Sequence, residues 1–193
     1  MSAHEPDAAP GALRRVEELI NTFVVETGTE SLTDPATLAT WLTERDLLPE
    51  TAAVGPADLD RARTVREGLR AMLVANNAVT TNAADDTSTA TPAAAAELTH
   101  LSALARELPL VLDVLTTPPT LVPQTPGTPD AALAQLLADV AKSVADGTWT
   151  RMKGCRMCQW AYYDHSRNRS RAWCSMSLCG NRAKAQTFRN RTR

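Results

Sequence analysis

The sequence predicts a mainly α-helical protein with a few short strands, in which a helical N-terminal domain precedes a small zinc-ribbon-like module. Apolar residues recur at three- and four-residue intervals through much of residues 1–148, which is typical of amphipathic helices. All four Cys of the chain lie in residues 149–193. We therefore expect two domains, residues 1–148 and residues 149–193.

The distribution of charge follows the same division. Residues 1–148 contain 9 Lys and Arg against 21 Asp and Glu, which gives a net charge of −12. Residues 149–193 contain 11 Lys and Arg against a single acid, Asp164, which gives a net charge of +10. The overall net charge of −2 therefore conceals an acidic part and a basic part.

Three helices are predicted in the first half of the acidic part. The first should run from Leu13 to near Gly28, because its apolar residues keep helical spacing. Asp34 and Pro35 predict the N-cap and first turn of a second helix, and Pro56 opens a third. The third helix has a mixed-sign face, which usually faces solvent. The residues of this face are Asp60, Arg63, Arg66, Glu67 and Arg70.

The second half of the acidic part is less regular. Residues 77–95 are rich in Ala, Thr, Asn and Asp, which favours a mobile insertion. A fourth helix is expected at 94–107 and a short strand or hairpin within 108–126. A final helix over 130–146 should turn Leu133, Leu136, Leu137, Val140 and Val144 inward.

No motif in this part indicates an enzyme or a membrane protein. The sequence has no Gly-rich phosphate loop, no Ser nucleophile elbow and no His or acid pair at metal-ligand spacing. It has no apolar run near the roughly 20 residues that cross a bilayer, and its N-terminus lacks a secretory signal pattern. We expect a cytoplasmic protein that is not an enzyme. Catalytic groups that converge only in three dimensions remain an alternative.

Two close Cys pairs define a candidate metal site. Cys155 and Cys158 are separated by two residues and Cys174 and Cys179 by four, with fifteen residues between the pairs. Each pair can form a tight turn that directs both thiolates to one point, as a tetrahedral Zn²⁺ site requires. Disulfides or unrelated buried thiols are the alternatives, but a cytosolic chain is kept reduced. We expect structural Zn²⁺ on the four thiolates, with His165 beside the site.

The basic residues of the same part predict a surface that binds polyanions. Arg167, Arg169 and Arg171 alternate with other residues, so an extended segment would place them on one side. A helix is predicted after Gly180 and adds further cations. The candidate nucleic-acid contacts are Arg167, Arg169, Arg171, Arg182, Lys184 and Arg189. Ribosomal RNA, an acidic protein or the acidic part of the same chain could occupy this surface instead.

The run Cys179-Gly180-Asn181-Arg182 resembles the tetrapeptide that names the CGNR zinc-finger family of bacterial proteins. Residues 149–151, 162–171 and 173–176 also resemble the pattern of that family. The whole chain resembles its two-part form, in which a helical ABATE domain precedes the finger, most closely at 20–22, 34–38 and 66–70. The resemblance implies Zn²⁺ at the four Cys, a finger that binds DNA rather than RNA, and stress-responsive regulation of transcription.

We therefore expect a zinc-dependent DNA-binding transcription regulator. Its finger would contact DNA, and its N-terminal domain would sense a small-molecule effector or mediate homodimerisation. The alternative is a structural or protein-interaction zinc module with no nucleic-acid role. Under that alternative, deletion of residues 149–193 should destabilise the rest of the chain, whereas a DNA-binding finger should be dispensable for folding.

Overall fold

The computed structural model describes residues 8–78 and 91–191, which form six α-helices and three two-stranded antiparallel sheets. The helices are α1 Leu13–Ile20, α2 Pro35–Thr43, α3 Pro56–Ala78, α4 Pro92–Ala105, α5 Pro129–Ala145 and α6 Asn181–Arg191. The strands are β1 Phe23–Val24, β2 Thr29–Glu30, β3 Leu110–Asp113, β4 Thr120–Pro123, β5 Met152–Gly154 and β6 Ala161–Tyr163. The predicted mainly helical fold with minor strands is confirmed. No helix in the described part of the chain combines the length and apolar character of a bilayer span.

The first helix is shorter than predicted. α1 ends at Ile20, and the continuation of its apolar pattern forms β1, which pairs with β2 across a turn. Gly28 lies in that turn with φ of +68°, a conformation that favours glycine. The side-chain amide of Asn21 donates to the carbonyl oxygen of Ala161 and accepts from its N–H at 2.9 and 2.8 Å. A contact between distant residues therefore occurs at the point where the apolar pattern alone would continue the helix.

The predicted start of the second helix is confirmed. The Asp34 carboxylate accepts a hydrogen bond from the Thr37 N–H at 2.9 Å, and the Thr37 hydroxyl accepts one from the Asp34 N–H at 3.1 Å. This reciprocal arrangement is a capping box, and Pro35 follows it in the first turn. The third helix likewise begins at Pro56, as its sequence predicts.

The hydrophobic core includes residues of both the acidic part and the basic part of the chain. Helices α1 to α5 bury apolar faces in one cluster, to which Val16, Leu42, Leu69 and Leu136 belong. The basic part contributes Trp149, Met152, Ala161 and Tyr163 to the same cluster. Deletion of residues 149–193 would therefore open the core whether or not the module binds DNA. Sensitivity to that deletion cannot separate the two functions expected from the sequence.

Asparagine side chains at the end of α3 attach the basic part to the helices. The Asn76 amide donates to the carbonyl oxygens of Trp149 and Met152, both at 2.9 Å. The neighbouring Asn77 amide donates to the carbonyl oxygen of Gly154 at 2.9 Å. Both asparagines are buried, so these bonds satisfy polar groups that water cannot reach.

Arg66 and Arg70 are buried, and their assignment to a solvated face was wrong. Arg66 Nη1 lies 2.8 Å from Glu30 Oε1. Arg70 donates to the carbonyl oxygen of Ile20 at 2.6 Å and to that of Gln159 at 3.1 Å. Because a guanidinium carries five N–H donors, one arginine can tie the end of α1 to the basic part. The mixed charges of α3 thus serve internal contacts.

The other predicted elements agree with the structure in part. The hairpin predicted within 108–126 is present as β3 and β4, and α4 begins at Pro92 inside the predicted insertion. Residues 79–90 of that insertion lie outside the described residues. Val144 is exposed, and its predicted inward position was wrong, because the buried face of α5 passes through Val140 and Ser143 at that end.

Gly68 marks the closest approach of α3 to α4. A Cβ atom at this position would lie 2.4 Å from Leu101 Cβ, so the two helices cannot stay in place around a larger residue. We expect Gly68→Ala to lower the free energy of unfolding by about 1–3 kcal/mol, despite the better helix propensity of alanine. Urea denaturation measures this change. Gly55→Ala is the matched control, because its Cβ would meet its nearest neighbour at 3.7 Å. Equal stability of the two variants would contradict the packing argument.

Candidate metal centre and basic surface

The four Cys side chains converge on one point. Their Sγ atoms all lie within 4.8 Å of one another, and all four residues are buried. The Cys158 to Cys174, Cys174 to Cys179 and Cys179 to Cys158 Sγ distances are 3.6, 3.7 and 3.6 Å. Four sulfurs about 2.3 Å from a tetrahedral ion would stand about 3.8 Å apart, whereas bonded sulfurs stand about 2.05 Å apart. The arrangement fits a tetrahedral metal ion, and the thiols are free.

The first Cys pair lies in the turn between β5 and β6. Cys155 directly follows β5, and its N–H donates to the carbonyl oxygen of Trp160 at 2.9 Å. Its own carbonyl oxygen accepts from the Gln159 N–H at 2.9 Å. Gln159 has a φ of +59°, which lets the chain reverse directly after Cys158. The hairpin thus holds both thiols on the same side of a tight turn.

The second pair lies at the entrance to α6. Cys174 ends a loop, and Cys179 belongs to one π-helical turn, Met176–Gly180, that runs directly into α6. A Cβ atom on Gly180 would lie 2.5 Å from the Met176 sulfur, so a larger residue would require the Met176 side chain to move. The second Cys pair therefore lies at the point where α6 begins.

The thiols strongly perturb one another. Hydrogen bonds from Cys158 and Cys174 lower the pKa of Cys155 far below its usual range. The hydrogen bond with Cys155 raises the pKa of Cys158 to about 12 and is the largest cause of the raised pKa of Cys174. These three thiols therefore share protons and do not ionise independently of one another. A divalent cation would replace those protons and balance the thiolate charges, as metal ions do in such sites.

Apolar side chains surround the sulfur cluster, and His165 lies outside it. Met157, Trp160 and Trp173 pack against the four Cys. His165 Nε2 lies 3.2 Å from the carbonyl oxygen of Ala8, and its ring centroid is 4.7 Å from that of Tyr163. The group able to hold a metal ion among the described residues consists of the four Cys.

A buried ion pair, which the sequence analysis missed, shapes the adjoining loop. Lys153 Nζ and Asp164 Oδ2 lie 2.9 Å apart, and both side chains are fully buried. Asp164 also accepts from the N–H groups of Ser166 and Arg171 at 2.9 and 3.0 Å, and Lys153 donates to the carbonyl oxygen of Arg169. Burial would raise the pKa of Asp164, but the hydrogen bonds from Ser166 and Lys153 outweigh it and hold the pKa below its usual value. One feature of the sequence could have indicated this ion pair, because Asp164 is the one acid in residues 149–193.

The loop arginines do not form the extended row that their spacing predicts. Residues 164–175 contain no strand, and Arg169 has a φ of +52°. The Arg171 guanidinium turns back to donate to the carbonyl oxygens of Trp173 and Cys174, and it lies 5.1 Å from the centroid of the Tyr162 ring. Arg171 therefore supports the second Cys pair, while Arg167 and Arg169 are exposed.

The predicted C-terminal helix is confirmed as α6, and its cations differ in their surroundings. Arg182 forms an ion pair with Glu26 of the β1–β2 turn and lies 3.5 Å from Cys179 Sγ. Lys184 and Arg189 are exposed. Within the described ranges, the side chains of Arg167 and Lys184 make no ion pair or hydrogen bond.

These features define a small helical protein with a C-terminal cysteine metal finger. The family model for ABATE, described as "Putative stress-induced transcription regulator", matches residues 13–147, and the CGNR zinc finger model matches residues 151–192. The chain belongs to the ABATE family and carries a CGNR zinc finger, so the resemblance and the order of its two parts are confirmed. No curated protein matches the chain.

The Lys153 and Asp164 pair gives a direct test of the loop architecture. Asp164→Asn would leave a buried ammonium group without its counter-charge, which typically costs about 3–5 kcal/mol of unfolding free energy. Denaturation at neutral pH with saturating metal measures the loss. Asp60→Asn is the matched control, because Asp60 is 77% exposed and stands 3.9 Å from Arg63. A loss for Asp164→Asn no larger than for this control would refute a structural role for the pair.

Proposed function

We propose that the protein is a zinc-dependent, DNA-binding regulator of transcription that acts in the cytoplasm. Cys155, Cys158, Cys174 and Cys179 would hold a structural Zn²⁺, which supplies folding stability rather than a reactive ligand position. The supporting observation is the fit of the four sulfurs to a tetrahedron, next to exposed cations on a loop and a helix that the sulfurs anchor.

The protein residues around the metal site have separable tasks. The four Cys would bind the ion as thiolates, and Arg171 would hold the loop that carries Cys174 through its carbonyl oxygen. Met157, Trp160 and Trp173 would exclude water from the metal–sulfur bonds. This division of tasks assigns Arg171 to the architecture of the finger and removes it from the direct DNA contacts predicted by spacing.

The remaining cations suit a phosphate backbone. Arg167 and Arg169 lie on the loop, and Lys184 and Arg189 lie on α6, with all four exposed. From 181 to 189, the side chains of α6 are exposed except that of Ala183, which is partly buried, so this helix is accessible to a partner. The major groove of B-DNA admits an α-helix, and arginines beside the groove would contact phosphates. Such phosphate contacts position the finger on DNA, and only a few side chains remain to recognise the base sequence.

Arg182 forms an internal contact of the protein and is also a proposed DNA contact. Its ion pair with Glu26 joins α6 to the acidic half of the chain, and both side chains are partly exposed. Exposed ion pairs contribute little stability, so a phosphate could replace Glu26 at small cost. Arg182 is therefore retained as a proposed DNA contact that must exchange partners on binding.

The acidic part of the chain, residues 1–148, would provide the regulatory input, by sensing an effector or by forming a homodimer. A cavity of about 530 Å³ lies between α3, the start of α4 and the turn of the first Cys pair. Its lining includes Arg70, Asn77 and Cys155, so a bound small molecule would touch both the helices and the metal site. This position would allow an effector to alter the presentation of the finger.

A purely structural zinc module is the second candidate, and one observation favours it. The β5–β6 hairpin completes the hydrophobic core of the helices, which is a structural contribution independent of DNA. The two functions differ in what they require of Arg167 and Lys184, whose side chains make no ion pair or hydrogen bond among the described residues. A DNA-binding finger would use both as phosphate contacts, whereas a purely structural module would not need either. The salt dependence of DNA binding therefore discriminates between them.

Metal content is the first test. The purified chain should contain one Zn²⁺ per molecule, and Cys174→Ser should lose most of it, because three thiolates bind Zn²⁺ more weakly than four. Elemental analysis and competition with a chromogenic chelator measure stoichiometry and affinity. His165→Ala should keep wild-type affinity, since His165 contacts Ala8. Reduced wild-type protein that is folded and metal-free would refute the zinc proposal.

Salt-dependent DNA binding is the second test. If Arg167, Arg169, Arg182, Lys184 and Arg189 contact about five phosphates, log affinity should fall against log salt concentration with a slope near −4 to −5. Replacing both Arg167 and Lys184 by Ala should make that slope shallower by about 2, whereas Lys142→Ala on the acidic half should leave it unchanged. Fluorescence anisotropy with duplex DNA measures all three. A flat salt response for the zinc-loaded protein would exclude the DNA-binding function and leave the structural one.

A further inference from the structure

The guanidinium of Arg182 lies between a proposed metal ligand and a carboxylate of the acidic part. Its Nη2 atom is 3.5 Å from Cys179 Sγ and 3.4 Å from Glu26 Oε2. Its Nη1 atom forms the ion pair with Glu26 Oε1. Because Nη2 carries two N–H groups, it can donate to the sulfur and to the carboxylate at the same time. One cation therefore contacts both the cysteine cluster and the β1–β2 turn.

The local structure of the chain explains why this arginine faces the sulfur. Cys179 belongs to the π-helical turn Met176–Gly180 that runs into α6, and Arg182 follows it by three residues. Residues three apart lie on the same side of a helix, so the guanidinium meets the cluster from the α6 side. Cys179 is fully buried, whereas the Arg182 side chain is 48% exposed. The guanidinium therefore lies at the boundary between the cluster and solvent.

The turn that carries Glu26 is anchored to the helices. The Gly28 N–H donates to the carbonyl oxygen of Val24 at 2.9 Å, which closes the turn. At the start of the same hairpin, Arg70 of α3 donates to the carbonyl oxygen of Phe23 at 3.0 Å. The Glu26 carboxylate therefore reaches the metal module from an anchored point of the acidic part.

A cation at this place meets an electrostatic need of the metal centre. Zn²⁺ with four thiolate ligands carries a net negative charge. Apolar side chains, among them Trp160 and Trp173, pack against the cluster, and such surroundings make an uncompensated charge costly. Arg171 also lies beside the cluster, but its guanidinium donates to backbone carbonyl oxygens. The contact of Arg182 with Cys179 places a positive charge beside a ligand sulfur.

We propose that Arg182 is a positioning residue of the metal centre, which donates to the metal-bound Cys179 thiolate while Glu26 holds the guanidinium in place. Groups that hydrogen-bond a metal ligand in this way typically contribute about 10- to 100-fold to metal affinity. This inference rests on the Zn²⁺ site of the proposed function and adds a contact by which the acidic part supports metal retention. It is compatible with the proposed DNA contact of Arg182, because a phosphate that replaces Glu26 can hold the same guanidinium.

The zinc affinity of the full chain, measured without DNA by competition with a chromogenic chelator, tests the role of Arg182. Arg182→Met keeps a straight side chain of good helix propensity but removes the charge and the donors. It should weaken Zn²⁺ binding on the order of tenfold or more, and Arg182→Lys should recover part of the loss. Lys184→Met is the matched control, because it removes a cation from the same helix whose side chain makes no ion pair or hydrogen bond in the described residues. This control should bind Zn²⁺ like wild type.

A double-mutant cycle tests the part played by Glu26. Glu26→Gln should weaken Zn²⁺ binding by about fivefold or less, since the ion pair is partly exposed. In the Arg182→Met background the same change should have no further effect, because Glu26 acts through the guanidinium. An effect of Glu26→Gln that is equal in both backgrounds would overturn the positioning role of Glu26.

The order in which the cysteines react gives a readout that a general loss of stability would not reproduce. Iodoacetamide alkylates a thiolate by forming a sulfur–carbon bond and releasing iodide, and peptide mass mapping locates the modified residue. In zinc-loaded Arg182→Met, modification should shift toward Cys179 relative to Cys155, whereas general loosening would raise both alike. Wild-type zinc affinity and an unchanged order of alkylation in folded Arg182→Met would overturn the inference while leaving the zinc site standing. A folded wild type without metal would instead refute the zinc proposal itself.

Discussion

The convergence of four sulfur atoms is the constraint on which the basic C-terminal part of the structure, residues 149–193, depends. Cys155 and Cys158 come from a β-turn, whereas Cys174 and Cys179 come from the entrance to a helix, so the site joins two separate local structures. A segment of this size is too small to bury a sufficient core of its own. The metal-binding cluster and the hairpin packed on the helices together replace that missing core.

Buried charges next to the cysteine cluster also hold the finger in place. Arg70 reaches from α3 to the end of α1 and to the turn of the first Cys pair. Lys153 and Asp164 neutralise each other and collect the backbone groups of the loop that leads toward Cys174. Cations that look alike in the sequence therefore divide into those that build the finger and those that remain on its surface.

The sequence was informative wherever a local rule governs the structure. Asp34 and Pro35 predicted a helix start, and the Cys spacing predicted four sulfurs at one point. Prediction failed where a contact between distant residues determines the local structure. An example is Asn21, which binds Ala161 directly after the end of α1. The spacing also did not reveal the bonds of Arg171 to the carbonyl oxygens of Trp173 and Cys174, because a guanidinium suits a carbonyl oxygen as well as a phosphate.

The asparagines at the end of α3 have a consequence for how the two halves communicate. Asn77 donates to the carbonyl oxygen of Gly154, and the next residue along the chain is the proposed metal ligand Cys155. The end of α3 is therefore bonded to the peptide unit that joins Gly154 to Cys155. If metal affinity depends on the position of α3 through this contact, a molecule that binds the helices more tightly in one position would change that affinity, and metal occupancy would change the affinity for the molecule by the same factor.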